Sequence, residues 1–429
     1  MRRNIHIVFI LLVVLCGCRK EYHAIVPDTD WNLFNSPTAV SLTGSTRNAM
    51  EGVYEVADGD GANVFGKTVA IKWSYELTNP GSDTTYHLSL FSGTDITYFI
   101  MEGKRSGDSL LFNGYWRKLV NTETGIIRFI ISASNGATEL LKPVPNIDSG
   151  SIVMNGLFGN GDALPQRILT MSYTRPLHHG ATRFQILAHR AGGRTSDLLP
   201  VSENSIGMVK LASQLGATGI EIDVQLTKDS IPIIYHDNQL NLRLIQKDGL
   251  VGPITDYTYA QLNSFVRLVD GERIPTLREM LETVVYQTPL KFVWIDTKRE
   301  NSVEAEVALQ KEFLQKAAAA GRTLEIVVGM PSNDVFNKMK TLPNYQNIPT
   351  LCELSVDDMK SANSQYWAPR FTVGLQNGLV DEVHGLGKKA FVWTLDVPDY
   401  INQFINEGHF DGILSNYASV VAYYYYVQR

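Results

Sequence analysis

The sequence predicts two folded domains, an antiparallel all-β domain (barrel or sandwich) over residues 36–180 and an α/β domain, a (β/α)8 barrel, over residues 181–429. Three observations lead there. A chain of 429 residues with 44% hydrophobic content is too long for one ordinary core and too apolar for disorder. Between residues 52 and 177 short alternating segments are broken by Gly, Asn, Asp and Ser, the pattern of antiparallel strands and their turns. After Phe184 short apolar runs alternate with helix-length amphipathic segments, the rhythm of parallel βα units.

At the amino terminus Arg2 and Arg3 precede an apolar run over residues 5–15, the charged and hydrophobic regions of a secretory signal that is too short to span a bilayer. The run ends in Leu15-Cys16-Gly17-Cys18, which resembles the bacterial lipobox and implies cleavage before Cys18 and lipid attachment to it. The expectation is a signal peptide over 1–17, a polar tether over 18–35, and an extracytoplasmic lipoprotein, periplasmic or on the cell surface, anchored to the membrane. With Cys16 removed and Cys18 acylated, Cys352 is the remaining thiol, so no internal disulfide forms; Cys352 is expected to be a buried packing residue.

In the β domain Val69, Ile71, Trp73 and Tyr75 fall on one face of a strand. Further strands are expected at 86–91, 96–101, 110–116, 125–131, 152–157 and 167–173, after an opening Gly52-Val53-Tyr54-Glu55. Seven or eight strands suit a sandwich or a small closed barrel, and closure removes sheet edges that invite aggregation. The aromatic residues are read as core, with a ligand cavity as the alternative.

The parallel strands of the second domain are expected at 185–189, 220–226, 232–236, 292–297, 325–329, 350–354, 390–394 and 412–414. Helices are expected at 205–215, 277–283, 303–319, 333–339, 380–385 and 398–407. Residues 238–273 are too many for an ordinary connection, and such excursions usually sit over a binding site.

On the second of these strands period-two alternation puts Ile220, Ile222, Val224 and Leu226 on the face under the outer helices, and Glu221, Asp223, Gln225 and Thr227 on the face that points into the barrel. Two carboxylates side by side in a low-dielectric interior repel, so they share a proton or a cation stands between them. The all-oxygen pair favours a hard divalent ion, Mg2+ or Ca2+, over Zn2+. Other polar residues recur where strands end: His189-Arg190, His236-Asp237, and Asp296 with Lys298. In a barrel those ends share one rim, where catalytic residues of this fold gather.

The strings HRAGG, SEN, GIEIDVQLTKDSIPIIYHD, IPTLREML, DTK and FVWTLD occur in the order found in the glycerophosphodiester phosphodiesterase family, and the stretch from Ile186 to Tyr417 resembles it. The resemblance implies a TIM barrel, a bound divalent ion, and hydrolysis of a phosphodiester to an alcohol and a phosphomonoester. It implies Glu221 and Asp223 as metal ligands and His189 and His236 as the general acid and base, with the assignment between them open. Asp296 falls where the family has glutamate as a further ligand, one methylene longer. Glu203 and Asn204 match the family's pair near the site, Glu203 as an extra ligand and Asn204 as a hydrogen-bonding partner. Arg190 and Lys298 are expected to hold the charge that gathers on the phosphoryl oxygens, Arg190 by two hydrogen bonds, and Trp393 to pack against the substrate's polyol. Two departures stand out: Ala191 follows the His-Arg pair where the family has glycine, and Ser415-Asn416-Tyr417 replaces Thr-Asp, removing a supporting carboxylate.

A net charge of −6 with no sustained Lys/Arg block argues against a nucleic-acid partner. The partners expected are a small phosphodiester substrate and, through Cys18, a membrane. The alternatives are a phospholipase or cyclising phosphodiester lyase on the same barrel, or a surface lipoprotein that binds without catalysis.

Overall fold

A computed structural model of the protein describes residues 25–180, 184–247 and 250–429. The expected signal peptide, Cys18 and the first part of the tether lie outside the described residues. Within them, the end of the tether segment lies against the β domain. Asn113 Nδ2 donates to the Thr29 carbonyl at 2.5 Å, Lys104 Nζ to that of Phe34 at 3.2 Å, and the Arg128 guanidinium sits over the Trp31 ring.

The eight barrel strands of the first domain are β1 (Gly52–Val56), β2 (Thr68–Leu77), β3 (Thr84–Ser92), β4 (Thr97–Ser106), β5 (Ser109–Lys118), β6 (Thr124–Ile131), β7 (Val153–Phe158) and β8 (Arg167–Arg175). Each pairs antiparallel with the next and β8 returns to β1, so the sheet closes up-and-down and the barrel is chosen over the sandwich. Its interior is packed with side chains. Phe65 meets Phe99, Trp116 and Phe158 edge-on with ring centroids 4.8–5.1 Å apart, and Val69, Ile71 and Leu90 join the same core. Edge-on aromatic pairs are each worth roughly 0.5–1.5 kcal/mol beyond the area they bury, and these rings serve the core.

The second domain has β9 (Gln185–Ala188), β10 (Gly219–Leu226), β11 (Phe292–Thr297), β12 (Glu325–Met330), β13 (Thr350–Cys352), β14 (Tyr366–Trp367), β15 (Lys389–Val392) and β16 (Gly412–Ser415). Every neighbour in this series is parallel, and β16 pairs with β9, which closes a ring of eight. Two expectations are corrected. Residues 232–236 do not supply a ring strand: Pro232–Ile234 pairs antiparallel with β10, folding back outside the ring. The missing member is β14, two residues long, which carries no periodicity to detect.

Side chains of the ring sort by alternation as expected. Ile220, Ile222, Val224, Val293 and Ile295 join the layer beneath the helices, while Phe292 and Trp294 join the smaller cluster of Leu187, Val327, Leu351, Tyr366 and Phe391. Gly329 on β12 makes this possible, because a Cβ there would lie 2.7 Å from Trp294 Nε1 and 2.8 Å from the Ile295 carbonyl oxygen. Cys352 is fully buried, as expected.

The outer face of the first domain's barrel continues the core of the second domain. Val53, Ala70, Phe91, Tyr98 and Ile100 pack in one cluster with Met208 and Leu211 from the helix Ile206–Gln214 and Val421 and Tyr425 from the helix Ala418–Tyr426. Gly216, in the left-handed region at φ 90°, lets Phe91 and Ala422 close over it. Polar ties flank the contact: Lys210 Nζ donates to the carbonyls of Leu77 and Thr78 at 2.9 and 2.8 Å, and Arg175 to that of Gln428 at 2.8 Å.

Candidate active site

All eight ring strands contribute to one cleft at their carboxyl ends. His189 follows β9, Glu221 and Asp223 lie on β10, Asp296 and Lys298 close β11, Ser332 follows β12, Glu353 follows β13, Arg370 follows β14, Trp393 follows β15, and Asn416 follows β16. The cleft encloses a cavity of about 450 Å3 lined by His189, Arg190, Glu221, His236, Asp296 and Lys298, with Trp294 and Trp393 as apolar walls.

Asp223 and Asp296 are register partners on adjacent parallel strands, which places them side by side. Glu221 joins them, and ligand atoms of the three lie within 4.8 Å of one another. Lys298 Nζ sits 2.5 Å from Asp223 Oδ1 and also pairs with Asp296. One ammonium against three carboxylates leaves a formal charge of −2. Glu221 Oε1 is buried without a hydrogen-bond partner among the described residues, and an orphaned buried acceptor of this kind signals a missing donor or ion. Burial, with Asp223 and Asp296 beside it, pushes the Glu221 carboxyl well above the usual carboxylate range. Burial would raise Asp223 too, but Lys298 and the two histidines outweigh it and hold that carboxyl low. An all-oxygen donor set, a residual charge of two and an unpartnered buried oxygen fit a hard divalent cation.

The rest of the predicted site surrounds this centre. Asn204 Nδ2 donates to Asp223 Oδ2 at 2.6 Å. The chain at His189 turns through left-handed backbone at Arg190 and Ala191, with φ 52° and 68°, and this aims the Arg190 amide at Glu221 Oε2, 2.8 Å away. Ala191 adopts that conformation without the freedom a glycine would have.

Glu203 is placed differently from the expectation. It is not among the three clustered carboxylates: it accepts from Arg190 Nη1 at 2.9 Å, from Arg243 Nη1 at 3.1 Å and from the Thr195 amide at 2.7 Å, a position between two guanidinium groups that leaves no need for an ion. Arg190 is correspondingly less free than expected. Its Nη1 holds Glu203 and its Nη2 lies 2.9 Å from His236 Nε2, so each terminal nitrogen keeps at most one hydrogen for a phosphate oxygen.

The hydrogen bonds fix both histidine tautomers. His189 Nδ1 lies 2.8 Å from Asn416 Oδ1, and Asn416 Nδ2 donates to Asp396 Oδ2 at 2.6 Å, so the amide oxygen accepts and His189 Nδ1 carries the proton. Its Nε2 lone pair faces the cleft, 3.7 Å from Glu221 Oε2. Burial pushes the His189 imidazole down to about 4. His236 Nδ1 lies 2.6 Å from Asp237 Oδ1, and a carboxylate can only accept there. Burial opposes ionisation of Asp237, but Arg243 and His236 prevail and hold it as a carboxylate.

Several contacts of the site escape the sequence reading. Arg243, from the long excursion, clamps Glu203 and Asp237, and Gln225 Nε2 donates at 2.8 Å to the carbonyls of Tyr235 and Asp237, fixing the loop that carries His236. Asp396 supplies, one hydrogen bond further from His189, the carboxylate that Asn416 lacks. Glu353 and Arg370 line the cleft opposite the histidine-bearing loops. Glu353 has a detectable signal, since it is an acid directly following an apolar strand, as Asp296 is within its own.

Residues 189–420, more than half of the chain, match the model of the glycerophosphoryl diester phosphodiesterase family. A glycerophosphodiester phosphodiesterase of Caldanaerobacter subterraneus is 24% identical over 54% of this chain and 93% of its own. Glycerophosphodiester phosphodiesterase 1 of Rattus norvegicus is 32% identical over 53% of this chain and 70% of its own. A solved phosphodiesterase of Oleispira antarctica, in complex with the product sn-glycerol-3-phosphate, aligns with a TM-score of 0.45 at 22% identity, covering 55% of this chain and 94% of the other. The chain belongs to the glycerophosphoryl diester phosphodiesterase family and is a phosphoric diester hydrolase.

Proposed function

We propose that the chain hydrolyses glycerophosphodiesters to an alcohol and glycerol 3-phosphate with the help of a divalent ion, on a ring that we read as a TIM barrel, as a membrane-anchored extracytoplasmic lipoprotein. The observation that carries the catalytic reading is the convergence of Glu221, Asp223 and Asp296 within 4.8 Å beside two histidines of fixed tautomer. Those three carboxylates would hold Mg2+ or Ca2+. Such an ion, when bound, supplies Lewis acidity toward a phosphoryl oxygen and offsets the carboxylates' charge.

The chain's own groups do the rest. The remaining hydrogens of Arg190 stabilise negative charge developing on the phosphoryl oxygens. Lys298, which burial disfavours as a cation but Asp296 and Asp223 hold protonated, adds a second positive charge. His189, neutral and with Nε2 bare, takes the proton of the attacking oxygen. His236, oriented by Asp237 through Nδ1, takes up a proton at Nε2 once phosphate draws Arg190 away from that nitrogen and delivers it to the departing alkoxide. Trp294 and Trp393 exclude water from one side of the cleft.

The location rests on Arg2, Arg3, the apolar run after them and Cys18. Incorporation of labelled palmitate into the wild-type chain, and its loss in Cys18→Ser, would support that anchor; unlabelled wild type would remove it. For the activity, the test is turnover of glycerophosphocholine, glycerophosphoethanolamine and glycerophosphoinositol with and without chelator. Release of alcohol that stops with chelator is the expected result, and a stable cyclic phosphate as end product would replace hydrolysis with a lyase reaction.

A further inference from the structure

A second cavity, of about 550 Å3, adjoins the catalytic cleft, and Glu353 and Arg370 form the wall common to both. It is built by the turn after β13, by β14 and by the loop leading to the helix Asn377–Gly385. Its apolar lining comes from Trp367 and Pro369, which are buried, and from Val373 and Leu379, which are exposed. Two polar side chains stand in its lining unsatisfied: Glu353 Oε1 and Gln376 Nε2 are buried and have no hydrogen-bond partner among the described residues. Native structures leave few such atoms unpaired, and an orphan acceptor and an orphan donor lining one hollow both point to an absent ligand.

The chemistry of that ligand follows from what is missing. Glu353 lacks a donor and Gln376 Nε2 lacks an acceptor. A hydroxyl group is both, a primary ammonium donates only, and a quaternary ammonium does neither. The acidic rim does not favour a cation either, because Asp357 and Glu382 are already bridged by Lys360 Nζ at 3.3 and 2.5 Å. Pro369 and Trp367 offer an apolar surface of the kind against which the CH faces of a polyol pack.

We infer that this cavity is a head-group subsite for a polyhydroxylated alcohol, which reaches it from the phosphorus past Arg370. The inference rests on the glycerophosphodiester reading above and narrows it to esters of polyols, an inositol ring being one that such a volume admits. Arg370, whose guanidinium lies 4.4 Å from the Trp393 ring centroid, stands where the ester crosses between the two cavities.

The test uses the full chain with its divalent ion and three substrates: glycerophosphoinositol, glycerophosphoethanolamine and glycerophosphocholine. The inositol ester should show the highest kcat/KM. In Gln376→Leu its KM should rise roughly tenfold with kcat kept, the effect of losing one hydrogen bond to a buried group, while KM for the choline ester stays within about twofold. Free myo-inositol should compete with glycerophosphoinositol on the wild type and choline chloride should not, a readout that needs no variant. Equal inhibition by choline, or a Gln376→Leu effect that is absent or the same for all three esters, would overturn the subsite and leave glycerophosphodiester hydrolysis standing. Turnover of none of the three, with a generic chromogenic phosphodiester still cleaved, would overturn the reading beneath it as well.

Discussion

Asn416 holds His189 through a neutral amide oxygen, and the nearest carboxylate in that chain of bonds, Asp396, lies one link further out. A carboxylate in direct contact would stabilise the imidazolium; an amide does so less, and burial keeps the ring neutral down to about pH 4. Asn416→Asp is therefore expected to raise the His189 pKa. If His189 is the base, activity requires its neutral form, and the acid limb of the pH profile of kcat/KM should move to higher pH in the variant; an unmoved limb would detach His189 from that role. At the other histidine, His236→Ala should lower kcat by roughly 10²–10⁴-fold, the usual contribution of a positioned proton donor. Its circular dichroism and melting should match the wild type, since His236 is held from outside by Gln225 and Arg243, and retained turnover would take it out of the mechanism.

The helix Val303–Ala319 carries a group whose ionisation sets a pH dependence of stability. Glu306 is fully buried beneath β11 and accepts from Thr297 Oγ1 at 2.6 Å, and burial pushes its carboxyl up to about 7. The fold thus favours the protonated form: the stabilisation is complete below the ordinary value of 4.5 and is lost as pH rises toward 7, a difference of roughly 3 kcal/mol. Glu306→Gln, neutral at every pH, should melt close to the wild type near about pH 5 and several degrees above it near about pH 8; equal gaps at the two pH values would contradict this. Elements differ in how far the sequence reveals them. Alternation along β10 is enough to assign Glu221, Asp223 and Gln225 to the inner face, because a strand buried on both faces must still send successive side chains to opposite sides. Alternation cannot tell direction, so Pro232–Ile234, an apolar run like the others, reads as a ring strand although it runs antiparallel. Tyr366–Trp367 is too short to show a period, and Arg370 and the second cavity stay hidden with it. Arg243 sits in an excursion whose length marks it as functional, but length does not say which side chain turns inward. The pairing of Glu203 with two arginines is set by tertiary contacts that no local pattern encodes.

At the scale of the whole molecule the two domains share an apolar core, so the β domain is a fixed part of the enzyme and not a loosely tethered module. Phe91 is buried at that junction, against Gly216. Phe91→Ala should cost about 3–5 kcal/mol, and thermal unfolding of the wild type should be a single cooperative transition. Two separate transitions in the wild type, with Phe91→Ala leaving the later one unmoved, would show that the contact does not couple the domains. Closure of the parallel ring holds the carboxyl ends of its eight strands on one rim, where three acids gather and Lys298 pairs with two of them. That arrangement is tolerable if two further positive charges complete it. The most direct test is calorimetric titration of the metal-stripped chain with Mg2+ and with Ca2+, beside Glu221→Gln: one ion bound per chain, with binding lost or much weakened in the variant, is the result predicted, and no saturable binding, or binding that the variant leaves unchanged, would contradict it.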